Sequence, residues 1–342
     1  MKCLYIGSFP PPHGGVTIKN NMLYNGLAKS INCEKVDLSK IKKFDILHII
    51  KFLKAYLTND NIFIIGASGV WRRRLSKFLY FINKKALSNS ILVVMGGKSA
   101  EIIAKDRNYL KYVSIYKKIY VEANGMKKEL EDKGLNNVDI FPNCRSIPNC
   151  CFKVNDTKSN RIKLVYFSQI SEEKGADLVF DAAKLLDKNK VDYEIDFYGP
   201  VNERFKEMFF TNIGEFSNIR YCGIFKSDEE DVYEKLNQYD VLLFPSRWKH
   251  EGVPGILVES KIAGIPSIVS NINFNAEIIN DGNDGIVMSK NNAGNLFNAV
   301  NELYSNRELL LQMKLNAKSD SINYSIEKYI NNIMNNISIE RD

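Results

Sequence analysis

Residues 240–271 read DVLLFPSRWKHEGVPGILVESKIAGIPSIVSN, and this stretch decides the fold. Val241, Leu242, Leu243 and Phe244 make an unbroken apolar run closed by Pro245-Ser246, the pattern of a strand buried on both faces of a parallel sheet. A loop carrying Glu251, Gly252, Val253, Pro254 and Gly255 follows. Residues 256–263 then have helical spacing and are stopped by Gly264 and Pro266, and 267–269 is a second apolar strand. Strand, loop, helix and strand form the unit with which an α/β sheet builds a ligand site at the carboxyl ends of its strands.

The chemistry of the stretch lies in two carboxylates eight residues apart, Glu251 in the loop and Glu259 in the helix. Between them the helix amino terminus, near Gly255, Ile256 and Leu257, presents backbone amides that suit an anion such as a diphosphate. Gly252 and Gly255 let the backbone come close to a ligand. Glu259 can accept from both hydroxyls of a ribose, and Glu251 can do the same for a hexose. The arrangement suits a nucleotide-sugar.

Glu-Gly-Val-Pro-Gly-Ile-Leu-Val-Glu at 251–259, followed by Ala-Gly-Ile-Pro at 263–266, resembles the Glu-x7-Glu signature of the family 4 retaining glycosyltransferases, which have the GT-B fold. Two glutamates at that spacing occur by chance in many chains. The preceding strand, the Gly and Pro pattern and the trailing Ala-Gly-x-Pro give the match its weight; without them Glu251 would read as a loop charge and Glu259 as a solvated helix residue.

At 342 residues, with 45% hydrophobic and 25% charged residues, the chain has the size of two ordinary globular domains. No apolar run approaches the ~20 residues that span a bilayer. The opening MKCLYIGSFPPPHGG passes directly from a short strand to a loop, unlike a signal peptide. Six cysteines, at 3, 33, 144, 150, 151 and 222, show no CxxC spacing, so reduced thiols in the cytosol are expected. The charge is divided unevenly. Residues 1–145 carry 25 Lys and Arg against 11 Asp and Glu, whereas residues 146–342 carry 22 against 29. A basic half of this kind can face nucleic acid, an anionic membrane or a phosphorylated acceptor.

In chain order, strands are expected at 2–6, 33–36, 61–65, 90–95, 118–121 and 138–141, with helices at 16–30, over 40–58, at 71–87, at 100–117 and at 124–133. Gly14-Gly15-Val16 resembles the glycine loop of the family, whose amides approach the donor diphosphate; His13 beside it is a weaker candidate for a substrate contact. In 71–87, WRRRLSKFLYFINKKAL, the residues Trp71, Leu75, Phe78, Leu79 and Ile82 recur at helical spacing among Arg72, Arg73, Arg74, Lys77, Lys84 and Lys85. Two readings stand: a sheet-packing helix with a solvated basic face, or a surface lying on anionic headgroups. Gly96-Gly97 occupies the place where the family often has a histidine near the sugar.

The second half opens with a strand at 163–167 and the loop Ser168-Gln169-Ile170-Ser171-Glu172-Glu173-Lys174-Gly175. The family's counterpart reads Gly-Arg-x-x-x-Glu-Lys-Gly, its Arg and Lys neutralising the donor diphosphate. Lys174 matches, whereas Gln169 brings a hydrogen-bond donor without charge where the arginine is expected. Gly223-Ile224-Phe225 stands where the family borders the base, and Glu277 with the Asp-Gly-Asn-Asp-Gly at 281–285 resembles a distal turn that is chiefly structural. Further strands are expected at 194–198 and 218–223 and helices at 204–215, 228–238, 293–304 and 307–319, with a final helix from 325.

The resemblance implies two Rossmann-like domains facing across a cleft: 1–145 for the acceptor, a linker at 146–161, 162–322 for the nucleotide-sugar, and 323–342 as a helix crossing back to the first domain. It implies a retaining sugar transfer with Glu251 and Lys174 at the reacting centre. The donor-binding set is Gly14, Gly15, Gln169, Lys174, Gly252, Val253, Pro254, Gly255, Ile256, Leu257 and Glu259. No Asp-x-Asp stands at a strand end, so neither metal nor cofactor is expected, and the donor would be a UDP- or GDP-linked sugar. Trp71, Arg72, Arg73, Arg74 and Lys77 would form the acceptor and membrane surface, on a cytoplasmic protein peripheral to the inner face of the plasma membrane and acting on a lipid-diphosphate-linked saccharide in O-antigen or capsule assembly. A nucleotide-sugar epimerase of the same architecture and a non-catalytic scaffold are the alternatives. A nucleic-acid binder is disfavoured, since the basic half contains no reading motif.

Overall fold

Residues 3–11, 14–42, 45, 46, 50, 52, 53, 57, 58, 62–148, 153, 154, 159–227 and 229–338 are described by a computed structural model of the chain. The chain forms two compact units. One comprises Met1–Ser146, His250–Val253 and Tyr324–Asp342, the other Ile147–Lys249 and Pro254–Asn323. Each is built on one six-stranded sheet with parallel pairing throughout. His13, His48 and both Cys150 and Cys151 lie outside the described residues, as does much of the helix expected over 40–58.

In the first unit the strands β1 (Cys3–Gly7), β2 (Cys33–Asp37), β3 (Ile62–Gly66), β4 (Ile91–Val93), β5 (Lys118–Val121) and β6 (Val138–Ile140) run in the order β2-β1-β3-β4-β5-β6. β1, β3 and β4 are buried at every position, which is why they read as continuous apolar runs without alternation. The order reverses between β1 and β3. There Asn20 donates from Nδ2 to the carbonyls of Ser8 and Gly66, both at 2.9 Å, and accepts from the Tyr5 hydroxyl at 2.8 Å. The isoleucines at 326, 330, 333 and 337, spaced to share one helix face, join Leu23 and Leu27 in the core through the helix Ile326–Ser338. Each such burial is worth roughly 1.5–3 kcal/mol of transfer free energy. Gly26 permits the approach: a Cβ there would lie 1.9 Å from Ile330 Cδ1.

In the second unit β7 (Ile162–Phe167), β8 (Tyr193–Tyr198), β9 (Ile219–Tyr221), β10 (Val241–Phe244), β11 (Ser267–Ser270) and β12 (Gly285–Met288) run β12-β11-β10-β7-β8-β9. Counted from β7 this is the 3-2-1-4-5-6 order of dinucleotide-binding sheets, with its reversal between β7 and β10. Ligands of open α/β sheets lie outside the carboxyl ends at such a reversal.

Polar caps break elements that periodicity joins. The span 71–87 is two helices, Gly69–Ile82 and Lys84–Ser88, because the Asn83 side chain accepts from Ala86 N and starts a new helix. The span 100–117 likewise divides into Ser99–Lys105 and Arg107–Val113, where Asp106 accepts from the amides of Asn108 and Tyr109. Asp231 caps Val232–Asn237, so residues 229–231 of the expected helix lie before its start. β12 is a strand that the sequence analysis does not expect between the turn at 281–285 and the helix from 293.

Candidate active site

In the second unit the helix Gly255–Ala263 begins after Pro254, whose backbone is extended, and ends at Gly264, whose φ of 76° only glycine adopts without strain. Leu257 N already donates to Pro254 O at 3.2 Å, and the amides that precede it at the helix start are those of Gly255 and Ile256, both half-buried. Glu259, one turn on, is also half-buried. Below it Lys261 is fully enclosed and donates to Asp284 at 2.8 Å and Asp320 at 2.6 Å. Asp284 also accepts from Asn280 N at 3.0 Å, so the turn at 281–285 fastens the helix as well as reversing the chain.

The loop 168–175 follows β7, on the other side of the strand reversal. Gly175 has φ 76°, and a Cβ there would stand 2.1 Å from Pro245 O, which brings this loop against the end of β10. Gly199 is similarly confined: its Cβ would meet Ser168 O at 1.9 Å. The buried Tyr166 donates from its hydroxyl to the carbonyls of Gln169 at 3.0 Å and Lys174 at 3.1 Å, tying the two ends of the loop. Arg247 fixes its middle. Its amide donates to Glu173 O at 2.8 Å, and its guanidinium reaches Glu172 O at 2.9 Å and both oxygens of Asp177 at 2.9 and 2.8 Å. Sequence reasoning singled out Lys174 and Gln169 but not Tyr166, Asp177 or Arg247, which hold them. Lys174 is half-buried and Gln169 exposed. At the same sheet edge Phe167, Tyr198 and Phe225 form an aromatic cluster with centroids 5.3 to 6.5 Å apart.

In the first unit Gly14 caps the helix Gly15–Ala28 in an extended conformation, and Thr17 Oγ1 exchanges hydrogen bonds of 3.0 Å with its amide and carbonyl. Both glycines are exposed. The segment His250–Val253 belongs to this unit, so Glu251 and Glu259 are carried by different units. Its partner is the turn after β4. A Cβ on Gly97 would lie 2.1 Å from Glu251 O and 2.7 Å from Glu251 C, and one on Gly252 would lie 2.9 Å from Glu122 Oε2. The glycine at 97 is thus required by backbone packed against backbone, and the turn's Gly96 amide donates to Glu122 Oε2 at 2.9 Å. Val253 O accepts from Asn143 Nδ2 at 2.8 Å.

The basic segment divides by face. Arg72 does not belong to the surface: it is 1% exposed and donates to Tyr109 Oη at 3.0 Å and Met95 O at 3.4 Å. Helix geometry turns it inward with Leu75 and Leu79, and the tyrosine and the carbonyl satisfy its guanidinium. Trp71 is half-buried, with Arg74 over its ring at 5.8 Å. Arg73, Arg74 and Lys77 are exposed and, with Val70, Asn108 and Tyr112, line a hollow of about 350 Å³. Arg73 pairs with Asp106. Val70, Phe78, Phe81 and Ile82 are exposed on the same helix. Among the described residues no helix is long and apolar enough to cross a membrane.

Residues 151–320 match the family model for glycosyl transferases group 1. A protein of the cps region of Klebsiella pneumoniae is 28% identical over 135 residues, 40% of this chain and 35% of that protein. A UDP-Gal:alpha-D-GlcNAc-diphosphoundecaprenol alpha-1,3-galactosyltransferase of Escherichia coli is 31% identical over 104 residues, 30% of this chain and 26% of that one. The chain therefore spans about a third or less of these relatives' lengths. Among solved structures, HepE of Anabaena in complex with UDP superposes with a TM-score of 0.72 over 98% of each chain at 12% identity. Residues 151–320 thus have the sequence of a group 1 glycosyl transferase, and the chain's two parallel sheets have the GT-B fold.

Proposed function

We propose that the protein is a retaining, metal-independent glycosyltransferase that moves a hexose from a UDP-sugar to a lipid-diphosphate-linked saccharide in assembly of a bacterial surface polysaccharide. The observation that carries this is the edge of the second unit's sheet, where the Lys174 loop and the amino terminus of the Gly255–Ala263 helix flank the strand reversal. A cation and a helix terminus there suit a diphosphate, and Glu259 on that helix suits the ribose. The UDP donor of the Escherichia coli relative and the UDP in HepE favour uridine over guanosine. The diphosphoundecaprenol acceptor of that relative favours a lipid carrier.

In this reading the bond from the anomeric carbon to the diphosphate breaks while the acceptor oxygen joins the same face. The acceptor's proton passes to the departing diphosphate. Lys174 and the helix amides stabilise the charge that grows on the diphosphate, and Glu251 orients the hexose through its hydroxyls. Arg73, Arg74 and Lys77, with the exposed Phe78 and Phe81, suit reversible seating on the anionic inner face of the plasma membrane.

The test begins with thermal stabilisation by UDP, GDP and a panel of their sugars, since a ligand that binds the folded state raises the apparent melting temperature. The stabilising donor is then given with a short-chain polyprenyl-diphosphate saccharide in the presence of EDTA. The expected product keeps the donor's anomeric configuration, and Lys174→Ala lowers turnover with little change in melting temperature. Interconversion of the sugar without acceptor would make the protein an epimerase; donor binding with no transfer would make it a scaffold.

A further inference from the structure

The first unit buries an ion pair, Lys19 with Glu122, that the proposed chemistry does not use. Lys19 is 1% and Glu122 7% exposed, with Nζ and Oε1 at 3.1 Å. Lys19 comes from the Gly15–Ala28 helix and is fixed further by Phe141 O at 2.9 Å and by the Phe141 ring at 4.5 Å. Glu122 directly follows β5. A buried pair of this kind seldom outperforms apolar side chains of similar volume in stabilising a core, because both charges are taken out of water. Its value lies in what it orients. The second oxygen of Glu122 receives the Gly96 amide at 2.9 Å, and Gly96 has φ 97°. The carboxylate therefore fixes the Gly96-Gly97 turn in a conformation that a side chain would strain.

We propose that Glu122 is a positioning residue for Glu251. It acts through the Gly96-Gly97 turn, and Lys19 and Asn143 complete the cradle. The proposal rests on the reading in which Glu251 takes the hydroxyls of the donor hexose. Glu251 and Gly252 are laid on the turn as bare backbone: neither Gly97 nor Gly252 has room for a Cβ, and the atoms in the way are Glu251 O, Gly97 N and Glu122 Oε2. The far end of the segment is held independently. Val253 O accepts from Asn143 Nδ2 at 2.8 Å, while Asn143 Oδ1 accepts from the buried Arg145 at 2.7 Å. Arg145 is tied in turn to the carboxyl-terminal part of the unit, its amide donating to Tyr324 O at 2.9 Å and its carbonyl accepting from Ile326 N at 3.0 Å. Two clamps two residues apart leave the Glu251 backbone little freedom, while Glu251 itself remains partly exposed. Gly96-Gly97 occupies the place where the family often has a histidine, and Gly97 is the feature that admits Glu251, so a side chain placed at 97 excludes the segment.

The experiment compares binding of bare UDP with binding of UDP-glucose, UDP-galactose and their N-acetylated forms by calorimetry, using the sugar that the wild type binds most tightly. The variants are Glu251→Ala, Glu122→Ala, Gly97→Ala and the double variant Glu122→Ala/Glu251→Ala. Gly97→Ala presses on Glu251 without touching the ion pair, so it carries the test if Glu122→Ala fails to fold. Glu251→Ala is expected to weaken UDP-sugar binding about tenfold relative to UDP. Glu122→Ala and Gly97→Ala should reproduce that loss with UDP affinity within about twofold of wild type, and the double variant should be no worse than Glu251→Ala, since residues acting as one unit are not additive. Losses that add, or that fall equally on UDP and UDP-sugar, overturn the positioning role. If Glu251→Ala loses the sugar-dependent affinity while Glu122→Ala and Gly97→Ala keep it, Glu122 is structural only. If Glu251→Ala keeps it, Glu251 does not contact the sugar and the inference fails with that reading.

Discussion

Glu251 and Glu259 are eight residues apart and are held by opposite means. Glu259 stands on a helix with its own stop at Gly264 and a buried ammonium, Lys261, two residues on that binds Asp284 and Asp320. Glu251 stands on a segment with no regular structure, fixed by the glycine at 97, the carboxylate at 122 and the amide at 143. One support begins with a helix that shows in the periodicity of the sequence, and only its ionic anchor, to residues 23 and 59 positions away, waits on the fold. The other is assembled from distant positions and shows only once the chain is folded.

The largest effect should come from the ionic anchor of the Glu259 helix. Lys261→Ala leaves Asp284 buried without its ammonium partner, the situation in which breaking a buried pair costs about 3–5 kcal/mol. Urea denaturation should show a loss of that size. A loss below about 1 kcal/mol would mean that packing of the helix face, not the ion pair, anchors Glu259.

The sequence carries the second unit's site further than the first's for a physical reason. The strand 241–244, the helix that follows it and the Lys174 loop are encoded by short-range signals: an apolar run, a Gly and Pro stop, a loop basic residue before a glycine. Lys261, Asp284 and Arg247 lie in the same stretches, yet charge alone does not tell a solvated residue from a buried one. In the first unit, Arg72 sits in a run of three arginines whose spacing places it on the apolar stripe with Leu75 and Leu79; composition suggested surface where helix phase dictates core. The division of 71–87 into two helices was legible in principle, since Asn83 is a favoured capping residue. The Glu122–Gly96 bond and the Asn143–Val253 bond had no sequence signal, because each joins residues that only the fold brings together.

Arg72 sharpens the contrast between the halves. Neutralising Arg73, Arg74 and Lys77 together should weaken sedimentation with anionic liposomes about a hundredfold at low salt, at roughly 1 kcal/mol for each basic residue close to the surface. Attachment to neutral liposomes should be weak before and after. Arg72→Ala should act differently, lowering the melting temperature by removing the guanidinium that Tyr109 and Met95 receive while leaving the exposed cations in place. Equal binding of wild type and triple variant would leave the basic face merely solvated and the acceptor soluble.

Glu259→Ala should weaken UDP itself by about tenfold, since hydrogen bonds to a charged group are worth roughly 1.5–3 kcal/mol. Its melting temperature without ligand should hardly move, because Glu259 is half-buried whereas the ionic anchor is Lys261. Unchanged UDP affinity in calorimetry would remove the ribose from Glu259 and with it the chemical difference between the two carboxylates.

The smallest effect should come from Gln169→Arg, which asks whether the loop's missing charge is a defect or an adaptation. Gln169 is exposed, and what the loop takes from it is its backbone carbonyl, which receives the Tyr166 hydroxyl. The loop's shape is set by that tyrosine, by Gly175 against Pro245 and by Arg247 on Glu172, Glu173 and Asp177, none of which a new side chain at 169 replaces. The substitution should therefore add charge without moving backbone. A guanidinium at an exposed position gains at most about 1 kcal/mol on a diphosphate, so UDP should bind about two- to fivefold more tightly at low salt. The gain should fade as ionic strength rises and the Debye length shortens. Turnover is the sharper reading: if UDP tightens while transfer slows, the added charge holds the product, and the glutamine is the residue that lets the diphosphate go.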